Sequence, residues 1–128
     1  MTHETVWRHG HRTPTSFIPT DVINNGPNTW PYGPGELTKL GMTQHFRLGK
    51  MIADRYVKEY GLLDLNYSNH MLYIHSDDYN RTLSSAYGNL AGFFINTSYY
   101  SPKYENWPNF WNPIPVHTID KFRDSVNC

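Results

Sequence analysis

The chain has 128 residues, enough for one small domain or a piece of a larger one. Eleven Lys and Arg balance eleven Asp and Glu, so no overall field draws polyanions, and nucleic acid is not an expected partner. Aromatic residues make up 16% of the chain, too many for a disordered segment, and no apolar run approaches the roughly 20 residues of a membrane span.

In chain order, residues 1–7 do not read as a signal peptide. "TVW", residues 5–7, is β-prone and reads as the end of a strand. "RHGHR" follows at residues 8–12, a short turn holding two arginines and two histidines. Residues 13–35 are rich in Pro, Gly and Asn and contain no Lys, Arg or His. A loop of that length in a compact domain is commonly functional.

Thr38 is a suitable N-cap for a first helix, on which Leu40, Leu48, Met51, Ile52 and Tyr56 approximate helical spacing. Gly61 is a natural stop after "RYVKEY". Gly41 and Gly49 weaken the helix, which predicts close packing, against a sheet, at those points. "MLYIH", residues 71–75, has strand length. "SDDYN" then offers Asp77 and Asp78 as caps for a second helix, with Leu83, Ala86, Tyr87, Leu90 and Phe94 along one stripe. Residues 102–115 are irregular and carry Trp107 and Trp111, which read as packing. "IPVHTI", residues 114–119, is predicted as a third strand.

Alternating strands and helices predict an α/β fold with a parallel sheet. In such sheets the loops after the strands gather at one edge, where ligands bind. Arg8, His9 and Arg12 leave the first predicted strand at that edge, and Arg81 follows the second in the first turn of its helix. A helix N-terminus there adds N–H groups and partial positive charge. Asp77 and Asp78 are the carboxylates near enough in sequence to compete for the arginines. Three guanidinium forks in one concave site suit a tetrahedral oxyanion such as a phosphate monoester. A histidine among them offers a lone pair to attack phosphorus, while the arginines absorb transition-state charge. The spacing His9-x-His11 also suits a metal pair, but neighbouring arginines repel cations, so no metal is expected. His45, His70, His75 and His117 read as structural or exposed.

"RHGHRTP" resembles the R-H-G-x-R-x-P signature of the histidine acid phosphatases, a branch of the histidine phosphatase superfamily. "WPYGPGELTKLGMTQHFRLGKMIADRY", "SDDYNRTLSSAYGNLAGFF" and "WNPIPVHT" resemble further segments of that family in the same order, so the likeness runs from Val6 to Cys128. The prostatic and lysosomal members are the most similar. The resemblance implies the phosphoglycerate mutase-like, three-layer α/β/α fold. It implies His9 as the nucleophile that forms a phosphohistidine intermediate, and Arg8, Arg12 and Arg81 as the phosphate clamp. Gly10 is expected to let the backbone turn tightly beside the nucleophile. His11 stands at the variable position of the signature and is given no catalytic role. No cofactor is implied. The implied substrates are small-molecule phosphate monoesters, with phosphoproteins as further candidates. The basic-free loop 13–35 favours a broad monoesterase over an inositol-polyphosphate enzyme. A homodimer is the candidate assembly of the full-length protein, and a secreted or lysosomal location the expected one.

The family's proton donor belongs to a His-Asp motif, and no such pair occurs in this sequence. Residues 1–128 are therefore expected to be the N-terminal part of one domain, lacking the helical insert, the C-terminal strands and the general acid, and weakly active or inactive alone. The alternative is a catalytically incomplete, secreted paralogue that binds anions or partners. Cys128, the single cysteine, is either a free thiol or, as the resemblance implies, one half of a disulfide. Asn66, Asn80 and Asn96 head N-x-S/T triplets, Asn80 being the least suited to a glycan because it adjoins Arg81.

Overall fold

The computed structural model describes residues 3–25, 28–97, 101–120 and 122–124. Cys128 and Ser98, the end of the third triplet, lie outside them. Helix α1 spans Lys39–Ala53, strand β1 His75–Asp77, helix α2 Asn80–Phe93 and strand β2 His117–Ile119. The strands pair in parallel, His75 opposite His117 and Asp77 opposite Ile119, with α2 as the start of the crossover. The predicted alternation is present from the first helix onward, and the described residues form a sheet of two strands.

Thr38 caps α1 as its sequence predicts: its side chain accepts the Gly41 N–H. The helix runs on into a π-helical turn, Asp54–Glu59. Gly61, at φ +59°, then reverses the chain, a left-handed conformation that glycine adopts without steric cost. The buried stripe of α1 differs from the predicted apolar one. Gly41, His45, Gly49 and Ala53 are buried, four residues apart, whereas Leu40 and Met51 are 56% and 66% exposed. The cause is helix-to-helix approach. A Cβ added to Gly49 would stand 2.8 Å from the Asn89 carbonyl carbon of α2, and one on Gly92 equally close to the Phe46 carbonyl carbon of α1. The predicted close packing exists, but not against a sheet: Gly49 meets the other helix, and Gly41 meets the loop at His11.

Ala86, Leu90 and Phe94 of the predicted α2 stripe are buried, while Tyr87 is exposed. They join Ala53 of α1, Ile74, Phe93 and Ile114 in one cluster. Tyr67 meets Phe94 edge-on at 6.3 Å. Asp77 and Asp78 do not cap α2. Its N-cap is Tyr79, without a side-chain cap bond, and the Asp77 carbonyl accepts from Tyr79 N and Thr82 Oγ1.

Two strand expectations shift. β1 begins at His75, so most of "MLYIH" precedes the ladder, and Ile74 serves the core as β1 begins. Residues 5–7 form no strand. The chain after them is held instead by side chains of both helices and by residues 36–38, which satisfy the backbone groups that a ladder would use.

Candidate active site

The N-terminal ends of α1 and α2 face a common loop, residues 8–13. α1 touches it backbone to backbone. A Cβ on Gly10 would stand 2.5 Å from the Gly41 carbonyl oxygen, and one on Gly41 2.9 Å from His11 N. Gly10 has no positive φ, so its glycine identity answers to this close approach rather than to the tight turn expected of it.

The loop's backbone is paired group by group. The Arg8 carbonyl accepts from His45 Nε2 at 3.1 Å, and Gly10 N–H donates to Ser85 Oγ at 3.1 Å. His11 N–H donates to Gln44 Oε1 at 2.8 Å, and the His11 carbonyl accepts from Thr38 N at 3.0 Å. Thr13, almost wholly buried, exchanges bonds with residues 33 and 36: its Oγ1 donates to the Gly33 carbonyl at 2.6 Å and accepts from Glu36 N at 2.9 Å. Arg12 and Leu37 form an isolated antiparallel bridge beside it.

His9 is half-buried. Its Nδ1 lies 2.8 Å from the Gly10 carbonyl. A carbonyl only accepts, so Nδ1 carries a hydrogen, and in the neutral ring Nε2 holds the lone pair. Arg8 is exposed and Arg12 half-buried, with one Arg12 Nη1 bond to the Thr13 carbonyl at 2.9 Å. Arg81 sits in the first turn of α2, its guanidinium 4.4 Å from the centre of the Tyr79 ring, in cation–π geometry. Its Nε is buried with no partner in the structure. Gly35, at φ +74°, passes over it: a Cβ there would be 3.8 Å from Arg81 Nη1. Ser85 Oγ–H donates to the Arg81 carbonyl at 2.6 Å while accepting from Gly10, so one hydroxyl joins the His9 turn to the Arg81 turn.

The loop that holds Arg8, His9 and Arg12 is thus joined to the Arg81 turn through Ser85, and Gly35 passes beside the Arg81 guanidinium. Among the described residues none of the three arginines has an ion-pair partner, and the single ion pair is Lys58–Asp54 on the π-helical turn. Asp77 and Asp78 do not neutralise the site. No trio of His, Cys, Asp or Glu side chains among the described residues is grouped as a metal site, and no described helix is long and apolar enough to cross a membrane. His11 bonds Thr38 Oγ1 through Nδ1 at 2.8 Å.

Sequence reasoning missed His45 and Ser85. His45, 3% exposed, has its titration pushed below the ordinary histidine range. Burial is the main cause, opposed by its bond to the Arg8 carbonyl and reinforced by the charge of His9. The signal for it was its four-residue register with Gly41 and Gly49. His75 and His117 are exposed, His117 stacked on Tyr73 at 4.7 Å. Trp107 and Trp111 pack together at 5.2 Å.

Comparison with known proteins supplies the frame for this geometry. The sequence matches the histidine phosphatase superfamily (branch 2) over residues 3–127. It is 43% identical over 122 residues to the lysosomal acid phosphatase of Xenopus laevis, covering 94% of this chain and 26% of that protein. It is 42% identical over 123 residues to the prostatic acid phosphatase of Homo sapiens, covering 94% of this chain and 29% of that one. The chain thus spans a little over a quarter of the length of these relatives. Among solved structures, the phytase from Citrobacter braakii superposes with a TM-score of 0.60 at 26% identity, over 86% of this chain and 25% of that chain.

Proposed function

Since the chain belongs to the histidine phosphatase superfamily, branch 2, we propose that it carries the nucleophile and anion clamp of an acid phosphatase acting on phosphate monoesters. His9 Nε2 attacks phosphorus, and the bond from phosphorus to the ester oxygen breaks. The leaving group departs with a proton from a group not among the residues assigned here. Water then attacks the phosphohistidine, releasing inorganic phosphate and restoring the imidazole. Arg8, Arg12 and Arg81 hold the phosphoryl oxygens and take up their growing charge, which is the larger part of what a protein does in phosphoryl transfer.

The observation that carries this reading is that Arg8, Arg12 and Arg81 have no carboxylate partner, and that Ser85 ties the turn of the half-buried His9 to the turn of Arg81. The half-buried Arg12 and Arg81, left without a carboxylate, favour an anionic guest. Small-molecule monoesters are the substrate class. The absence of any Lys, Arg or His in residues 13–35 leaves the rim without extra cations for a polyphosphorylated ligand. The lysosomal and prostatic names of the relatives support a secreted or lysosomal setting, and Asn66 and Asn96 are exposed.

Steady-state turnover of p-nitrophenyl phosphate by the full-length protein tests the reading. His9→Ala abolishes turnover, and Arg8→Ala, Arg12→Ala and Arg81→Ala each lower kcat/KM by a factor on the order of 10²–10³, as removal of one oxyanion donor does. Substantial activity retained by His9→Ala removes His9 from its role.

A further inference from the structure

His9 is exposed to positional error because residues 5–7 give its segment no ladder. Its two flanking peptide groups are nevertheless both held, each by a buried side chain from a different helix. On one side His45 of α1, 3% exposed, reaches the Arg8 carbonyl with Nε2 at 3.1 Å. On the other, Ser85 of α2, 1% exposed, accepts Gly10 N–H at 3.1 Å.

The chemistry of each grip is constrained. A carbonyl acceptor requires hydrogen on His45 Nε2, which leaves Nδ1 as a bare lone pair, and that atom is buried with no partner in the structure. Nothing but the Arg8 bond orients the ring's polar atoms. A histidine held at this position with half its hydrogen-bonding capacity unused is poorly explained as packing alone. Ser85 has the opposite character. Its hydroxyl hydrogen goes to the Arg81 carbonyl at 2.6 Å and its lone pair to Gly10 N–H, so nothing is spare. Bonding back one helical turn is a common habit of helical serine. Receiving an amide 75 positions away in sequence, beside a nucleophile, is not part of that habit.

We propose that His45 and Ser85 are positioning residues for His9. They fix the Arg8–His9 and His9–Gly10 peptide planes, and Ser85 also sets the distance from His9 to the Arg81 turn. The inference rests on the reading of His9 as nucleophile. Misplacing a reacting group by about 1 Å can cost a factor of 10² in rate, which is the scale at stake.

The test is kcat and KM for p-nitrophenyl phosphate on the full-length protein, with His9→Ala as the blank. Ser85→Ala deletes one oxygen without adding bulk. It lowers kcat by about 10- to 100-fold and leaves KM within about twofold. His45→Gln keeps an N–H at the reach of Nε2, whereas His45→Asn carries it only as far as Nδ1. His45→Gln retains most of kcat, and His45→Asn falls with Ser85→Ala. Equal losses in the two His45 variants, or a Ser85→Ala enzyme within twofold of the parent kcat, overturn the proposal. If Ser85→Ala does not fold, the Gln–Asn contrast decides alone. A full-length protein no more active than its His9→Ala variant defeats the phosphatase reading, and this inference with it. An active parent with indifferent positioning variants defeats the inference only.

Discussion

Gly41→Ala is the sharpest perturbation of the contact between α1 and the His9 loop. In an exposed helix the change would be favourable by about 1 kcal/mol. Here the added methyl meets backbone. It would lie 2.6 Å from Leu37 Cδ1, 2.9 Å from His11 N and closer still to the His11 carbonyl oxygen. Leu37 can turn away, but the His11 peptide cannot, because its N–H is bonded to Gln44 and its carbonyl to Thr38. Overpacking costs about 1–3 kcal/mol, and against backbone that cannot move the upper end applies, so after the helix gain a net destabilisation of about 2 kcal/mol remains. Because the displaced backbone adjoins Gly10 and His9, turnover falls by a factor on the order of 10² as well. Urea denaturation and p-nitrophenyl phosphate turnover measure the two effects. A Gly41→Ala protein as stable as the parent would refute the close-approach argument.

Other outcomes follow from the same contacts. Thr38→Ala removes the acceptor for Gly41 N–H and the hydroxyl donor to the His11 carbonyl, at a cost of about 1 kcal/mol in denaturant unfolding. Gly92→Ala drives a methyl into the Phe46 carbonyl on α1, so the helices part and the melting temperature falls, whereas Gly61→Ala strains only an open turn at positive φ. The pH dependence of His45 has a definite sign. Its folded titration lies below the ordinary value of 6.5, so the unfolded chain binds the extra proton first as pH falls. The stability it takes away on acidification is absent above the unfolded value and complete below the folded one. His45→Gln therefore loses less melting temperature than the parent between neutral and mildly acid pH. An identical slope in both proteins would show that His45 is not the group responsible.

Local signals were legible in the sequence. Thr38 as a cap, Gly61 as a stop and the Ala86–Leu90–Phe94 stripe depend on neighbours a few residues away, and the structure reproduces them. The candidate site could be named from sequence because Arg8, His9 and Arg12 share one short motif, and Arg81 follows β1 directly into α2. What failed depended on partners distant in sequence. The buried face of α1 is made of glycines, an alanine and a histidine, because α2 must come close at Gly49 and Gly92, a reason invisible to an apolar-periodicity count. Thr5 to Trp7 looked like a strand, but a strand needs a neighbour, and the loop's polar groups found helix side chains instead. Ser85 looked like any helical serine until its bond to Gly10 appeared.

The central claim is that His9 attacks phosphorus inside the arginine clamp. Brief exposure of the protein to p-nitrophenyl phosphate, an alkaline quench that preserves phosphohistidine, and mass spectrometry of the peptide spanning residues 9–12 tests it directly. A nitrophenolate leaving group needs little protonation, so the phosphorylation step depends on His9 and the clamp rather than on a general acid. The account predicts a phosphoryl group on His9 that disappears in His9→Ala and weakens in Arg81→Ala. Turnover with no adduct on His9, or an adduct that forms on His11 and survives His9→Ala, would contradict it.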